Sequence, residues 1–236
     1  MTRPPEGERA GCFPLRWTPA ALAGFGGVAA VWLFVAGWPV PHRYFGEGRV
    51  GTWLTAGGLF GTAVTLWCAT AALAGMGRGS TGERRLGWWL SAWFAAAAAD
   101  DAFSFHERFG AWLRAGLGTR RSLAGEEIGT VLLLAAGVAL AVSLALARGL
   151  RRRYRGTLRW WALAVLLAGI MLVLDGVTED RRILLRMGLG REAAVWWKYR
   201  LEGLEEVCKM TGVYLFWAGA VAAFGRVVGA FDRPER

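Results

Sequence analysis

The chain has 236 residues, 55% of them hydrophobic, and a formal net charge of +10 carried almost entirely by arginine. A mean hydropathy of +0.33, with apolar runs longer than the ~18 residues that cross a hydrocarbon core as helix, excludes an ordinary soluble domain. The arginines sit between those runs and no groove-reading motif accompanies them, so the charge speaks for lipid headgroups and topology and against nucleic acid.

Residues 1–16 carry Pro, Glu and Arg and are expected to form a disordered cytoplasmic segment. The first span runs from about Thr18 to Val40, where Pro39 and Pro41 stop it, and it is too long and too polar-flanked for a cleaved signal peptide. The second runs from about Val50 to Met76 and carries Gly57-x-x-x-Gly61, a spacing that lets helices approach closely. Residues 77–85 read as a polar loop. The third span begins near Leu86, stays apolar to Ala99 and continues Asp100-Asp101-Ala102-Phe103-Ser104-Phe105-His106-Glu107-Arg108. After a Gly/Arg loop at 114–125, the fourth opens on Gly125-Glu126-Glu127 and runs to about Ala147. Residues 148–159 hold six Arg. The fifth span runs from Trp160 past Asp175 to about Glu179 or Arg182. Residues 183–199, with Trp196, Trp197 and Lys198, suit a separate interfacial helix. The sixth span starts at Glu202 and reaches about Val228, leaving 231–236 as a short polar tail.

These runs are continuous and Ala/Leu-rich, not alternating, which selects helices over a barrel. The expected fold is therefore all-α: an integral membrane bundle of about six transmembrane helices within residues 17–230. The side holding both termini has 15 Lys and Arg and the other side 12, with Lys209 left inside the sixth span. The arginine-rich 148–159 loop then favours both termini in the cytoplasm of a bacterial inner (plasma) membrane. The partners expected are the bilayer and anionic headgroups met by the Arg-rich loops; the sequence does not specify an oligomer. Cys12, Cys68 and Cys208 form no C-x-x-C pair, so a disulfide framework or cysteine zinc site is not expected. Trp88, Trp89, Trp160, Trp161, Trp196 and Trp197 read as interface belts.

Span parity gathers the acids. The third and fifth spans end, and the fourth and sixth begin, on the face opposite the termini. That puts Asp100, Asp101 and Glu107, Glu126 and Glu127, Asp175 and Glu179, and Glu202, Glu205 and Glu206 on one side, with His42 from the first loop. Asp100, Ser104 and Glu107 would share one helix face, and Glu202, Glu206 and Lys209 another. An ionisable stripe on an apolar helix must face the bundle interior or a water-filled cavity. Asp100 and Asp175 fall about fifteen residues into their spans, roughly 20 Å along the axis. A charge in mid-span costs about 2.5–3.5 kcal/mol on insertion scales. Lys209 is expected to pair with Glu205, Glu206 or Asp175. The acids that open the fourth and sixth spans also fit a plainer reading, as first-turn acids favoured by the helix dipole. Asp100 to Glu126 is 26 positions and Asp175 to Glu202 is 27, a spacing that fits an internal repeat of the kind transporters show.

The stretch Asp101-Ala102-Phe103-Ser104-Phe105-His106-Glu107 resembles a motif of bacterial multi-pass membrane proteins that place an acid, a short apolar spacer and His-Glu near a helix end; that resemblance implies no activity. Glu205-Glu206-Val207-Cys208-Lys209 is similar to the Glu-Glu-x-x-Lys motif of PrsW-type intramembrane proteases, which implies peptide hydrolysis with a Glu as general base. Here the motif lies on the last span, and the family's partner His-x-x-x-Asp motif is missing. Ser104-Phe105-His106 is similar to the Ser-to-His pattern of alkaline ceramidase-like proteins, without their later His pair. Asp175-Gly176 matches only the first two residues of the CDP-alcohol phosphotransferase signature.

The leading expectation is a site that binds a cation or relays protons, with a link to transport. Its residues are Asp100, Asp101, His106, Glu126, Asp175, Glu202, Glu205 and Lys209. If it holds a divalent metal, Asp100, His106, Glu107 and Asp175 offer the donors. Oxygen-rich sets suit magnesium, calcium or manganese, and carboxylates with His also hold iron or zinc. Close carboxylates in low dielectric share protons, which suits relay or acid–base chemistry. One alternative is a metal- or glutamate-dependent intramembrane hydrolase with Glu107 and Glu206 catalytic. The other is an accessory subunit whose ion pairs only hold helices together.

Overall fold

A computed structural model describes residues 18–37, 44, 49–105, 108, 112, 155–179, 184–185 and 188–229. Among the described residues there is no strand, and five long helices form: α1 (Thr18–Ala36), α2 (Val50–Gly75), α3 (Thr81–Phe103), α4 (Arg155–Glu179) and α5 (Arg191–Val227). Four of them, α1, α2, α4 and α5, are long and apolar enough to cross a membrane. The fourth predicted span, 125–147, lies outside the described residues. α3 was expected to be a span. Its uninterrupted apolar run, Leu86–Ala99, covers only about 21 Å against a hydrocarbon core of ~30 Å, and charged residues flank it on both sides.

The α2–α3 turn is set by local chemistry that the expected polar loop at 77–85 left out. Gly77 takes φ +62° and closes α2 in a two-bond cap: its N–H donates to the Ala74 carbonyl and the Arg78 N–H to the Leu73 carbonyl, at 3.1 and 2.9 Å. Four residues later α3 begins, because Ser80 accepts the Glu83 N–H at 3.1 Å. Ser-x-x-Glu is a capping-box pattern, so Thr81–Arg85 are helical.

α5 is the element about which the others pack. It lies against α4, α1 and α2, while α3 runs along α2. Trp161 of α4 donates its indole N–H to the Phe216 carbonyl at 3.2 Å, and Gly156 lies beside Arg226. α4 is therefore antiparallel to α5. Gly58 and Gly61 of α2 face Val213 and Trp217, so α2 runs parallel to it. One core joins Leu59, Leu66, Leu90, Phe94, Trp161 and Val213 from four helices. Another seats Ala30 and Leu33 of α1 on Met210 and Tyr214.

Two expectations change here. Trp161 is buried in the core, so it is not a belt residue; its ring fills the space left by Gly219. Among the described residues the Gly57-x-x-x-Gly61 spacing does not act as one contact face either, since Gly57 meets no neighbour there and the α2–α5 approach uses Gly58 and Gly61.

Gly87 is where α3 presses on α2: a Cβ there would run into the Thr70 side chain. Substitution Gly87→Val should destabilise the purified protein by about 1–3 kcal/mol through overpacking. Gly57→Ala, with open space around it, should be neutral or stabilising by up to about 1 kcal/mol through helix propensity. Thermal unfolding in detergent, followed by helical circular dichroism, checks both.

Candidate functional site

α3 reaches its C-terminus carrying two carboxylates, Asp100 and Asp101, in its last turn. That position is unfavourable, because the carbonyl end of a helix carries partial negative charge worth about 0.3–1 kcal/mol per side-chain charge. The helix stops immediately after them. Ser104 takes φ 50° and ψ 46°, and its N–H caps the Asp100 carbonyl at 2.7 Å. A left-handed non-glycine residue costs about 1–2 kcal/mol. The expected shared face of Asp100, Ser104 and Glu107 reaches past this stop, and Glu107 lies outside the described residues.

The acids of α3 are compensated from across the bundle. Lys209 of α5 places its Nζ 2.5 Å from Asp101 Oδ1, with the Asp101 side chain 11% exposed and that of Lys209 31% exposed. The partner is thus a neighbouring helix, not Glu205, Glu206 or Asp175 as expected. Those three are nonetheless near. Glu206 and Glu205 both act electrostatically on Lys209, Asp101 acts on Glu206, and Asp175 of α4 acts on both glutamates. The other oxygen of Asp101, Oδ2, is buried with no hydrogen-bond partner among the described residues.

The remaining predicted residues divide. Glu202 forms a half-exposed i,i+4 pair with Lys198 at 3.3 Å and still acts on Glu205. Asp100 is half-buried and makes an interaction of its own. Asp175 is half-buried too, and its carbonyl accepts the Thr178 hydroxyl at 3.1 Å. His42, His106, Glu107, Glu126 and Glu127 lie outside the described residues, and so does the side chain of Glu179. Among the described residues no three His, Cys, Asp or Glu side chains are grouped to hold a metal ion. The proposed metal set needs His106 and Glu107, so it falls partly outside what is described.

Helix geometry gives the depth of the group. Lys209 lies 18 residues before Val227, the end of α5, which is about 27 Å. Asp175 closes the apolar stretch Gly156–Asp175 of α4, 20 residues long, or about 30 Å. The ionisable side chains thus lie one hydrocarbon thickness, ~30 Å, from the opposite ends of the two helices. Beyond that level α5 continues: the expected break between an interfacial helix and the sixth span is absent, and Arg191–Val227 form one helix of 37 residues, about 55 Å long. Its outer turns carry the exposed Trp196, Trp197 and Tyr199, with Arg200 stacked 3.4 Å over the Trp196 ring. At the opposite end a small apolar cavity lies between α2, α3, α4 and α5, walled by Leu66, Leu73, Leu90, Trp161 and Val227, with Glu83 its one acid.

Residues 20–224 match the model of a family described as a domain of unknown function, DUF8692, and the chain belongs to that family. No curated protein matches the chain, and no solved structure matches it.

Breaking one partner of a largely buried ion pair strands the other, which costs about 3–5 kcal/mol when burial is complete. The partial exposure of Lys209 reduces this, so Asp101→Asn and Lys209→Met should each cost about 1–3 kcal/mol. The double substitution should cost less than the two single losses added together. Ser104→Gly, which relieves the left-handed strain, should raise stability by about 0.5–1 kcal/mol. A double-mutant cycle on thermal unfolding in detergent measures all four.

Proposed function

We propose that this member of the DUF8692 family is a six-span protein of the bacterial inner membrane, with cytoplasmic termini, that moves or binds protons or a cation at a carboxylate cluster at one rim of the bilayer. The observation that carries this reading is a charge imbalance. Asp101, Glu205 and Glu206 interact with one another directly or through Lys209, with Asp175 acting on both glutamates, and Lys209 is the one cation acting on Glu205 and Glu206 among the described residues. A single buried pair explains one lysine and one acid. It does not explain Glu205 and Glu206, where each bare charge in a low-dielectric setting costs several kcal/mol unless neutralised. Protons or bound cations supply that neutralisation, and a group that exchanges them on one side of a membrane is the working part of a relay or a coupled transporter.

His106, Glu107 and Glu126 extend the cluster on this reading, and the Arg-rich loops meet anionic headgroups. The hydrolase alternative uses the same Glu206 with Glu107. The reading as a structural subunit needs only the Lys209–Asp101 pair and leaves the other acids without a role.

Purified protein reconstituted into liposomes that enclose a pH-sensitive dye provides the test. An imposed pH or cation gradient should collapse faster with the protein than without it. Asp101→Asn, Asp175→Asn and Glu206→Gln should each remove most of that flux, while Arg78→Gln, in the α2–α3 turn, should leave it unchanged. Equal flux in folded wild type and all three acid variants would sink the proposal.

A further inference from the structure

The apolar cavity at the other end of the bundle has a shape and a setting of its own. Its walls run from Leu66 to Leu73 on α2 and from Glu83 to Leu90 on α3, two turns of each helix, or roughly 10 Å along the axis. Leu158 and Trp161 of α4 and Ala223 and Val227 of α5 complete it. The slot exists because α3 packs mainly on α2 and α4 mainly on α5. Among the described residues this leaves a seam between α3 and α4, floored by α2 and α5. Its mouth lies where all four helices end: Leu73 near the close of α2 at Gly75, Glu83 in the first turn of α3, Leu158 in that of α4, and Val227 at the close of α5. The slot therefore runs along the helices, as an acyl chain does, and opens at the level where a span leaves hydrocarbon for headgroups.

That level is basic. Arg84 and Arg85 follow Glu83 on α3, Arg159 follows Leu158 on α4, and Arg226 of α5 lies beside Gly156 of α4. Glu83 and Arg226 have interactions of their own. Arg84, Arg85 and Arg159 form no ion pair among the described residues. A guanidinium presents a planar fork that matches phosphate, and basic pockets between membrane helices attract anionic headgroups. A soluble anion would have no use for the slot, and an uncharged lipid would have no use for the arginines. An anionic amphiphile uses both.

We propose that the α3–α4 seam binds one anionic phospholipid, with a stretch of acyl chain in the slot and the phosphate on Arg84, Arg85 and Arg159. The site lies at the far end of the bundle from Lys209 and Asp101, and it stands independently of the proton or cation reading.

Full-length protein in dodecyl maltoside is titrated with dioleoyl phosphatidylglycerol or dioleoyl phosphatidylcholine, and bound lipid is counted by native mass spectrometry. One phosphatidylglycerol should bind about fivefold or more tighter than phosphatidylcholine. Combining Arg84→Gln, Arg85→Gln and Arg159→Gln should erase that preference. Ala223→Leu, which fills the slot and leaves every charge in place, should weaken phosphatidylglycerol binding by about fivefold or more. This second readout separates a seated lipid from a general pull of basic residues on an anionic surface. Equal binding of the two lipids to wild type, or unaltered phosphatidylglycerol binding to folded Ala223→Leu, would overturn the proposal. A photoreactive side chain at the mouth, Leu158→p-benzoylphenylalanine, decides without either variant. Illuminated in phosphatidylglycerol liposomes, it should yield a phospholipid adduct. Cross-links to a second copy of the chain, or to residues 125–147, in place of that adduct would show a different occupant and overturn the lipid site.

Discussion

Charge in a low-dielectric slab must be matched locally, and one contact in this protein meets that constraint across helices: Lys209 of α5 on Asp101 of α3. The two residues sit on elements that share little other packing. α3 is held mainly by α2, through Gly87 against Thr70 and through the Ser91 hydroxyl, which donates to the Ala63 carbonyl at 2.8 Å. At its far end the ring of Phe94 meets Phe216 at 5.3 Å, and the ion pair follows two turns later. The pair thus fixes the end of a helix whose apolar run is too short to anchor it in lipid unaided, and it offsets the unfavourable placement of two acids at a C-terminus.

The length of α5 organises the rest. A helix of 37 residues is nearly twice what a hydrocarbon core requires, so its two ends perform different work. The inner portion, from Met210 to Val227, is mostly buried; it receives α4 at Gly212 and Gly219, while α1 and α2 bring Gly26, Gly58 and Gly61 against its Tyr214, Val213 and Trp217. The outer portion keeps Trp196, Trp197 and Tyr199 exposed, with Trp196 and Trp197 edge to face at 5.1 Å. That is the composition expected where a helix leaves the hydrocarbon for the headgroups. The acids from Glu202 to Glu206 mark the change between the two regimes.

Much of this was legible in the residues. The apolar runs locate the four long helices, α2 almost to the residue, because a continuous hydrophobic stretch of bilayer length has few other folds. Parity put Asp101, Asp175, Glu205 and Glu206 on one side; in the structure Asp101 meets Lys209 and Asp175 acts on both glutamates. What escaped were features that depend on a single side chain or on a neighbour. The Ser80–Glu83 cap was present as a pattern but lay inside a segment rich in Gly and Arg that reads as loop. The stop at Ser104 has no sequence signal, since serine rarely takes a left-handed conformation. Trp161 and Trp160 are identical in sequence context, and only the glycine opposite, Gly219, decides which is buried. The join between Arg191 and Val227 was missed because polarity was taken as a helix boundary. Polarity alone does not end a helix that contains no proline and a single early glycine at 203.

Ser104 sharpens the functional argument. A left-handed serine persists only where its surroundings over-determine it, and here the determinant is one residue-length away from the charged group: the Ser104 N–H caps Asp100, whose neighbour Asp101 holds Lys209. Weakening the ion pair therefore removes the force that positions this turn, and the helix end it closes is free to relax. The helix stop at Ser104 and the ion pair at Asp101 thus fall within one turn at the end of α3.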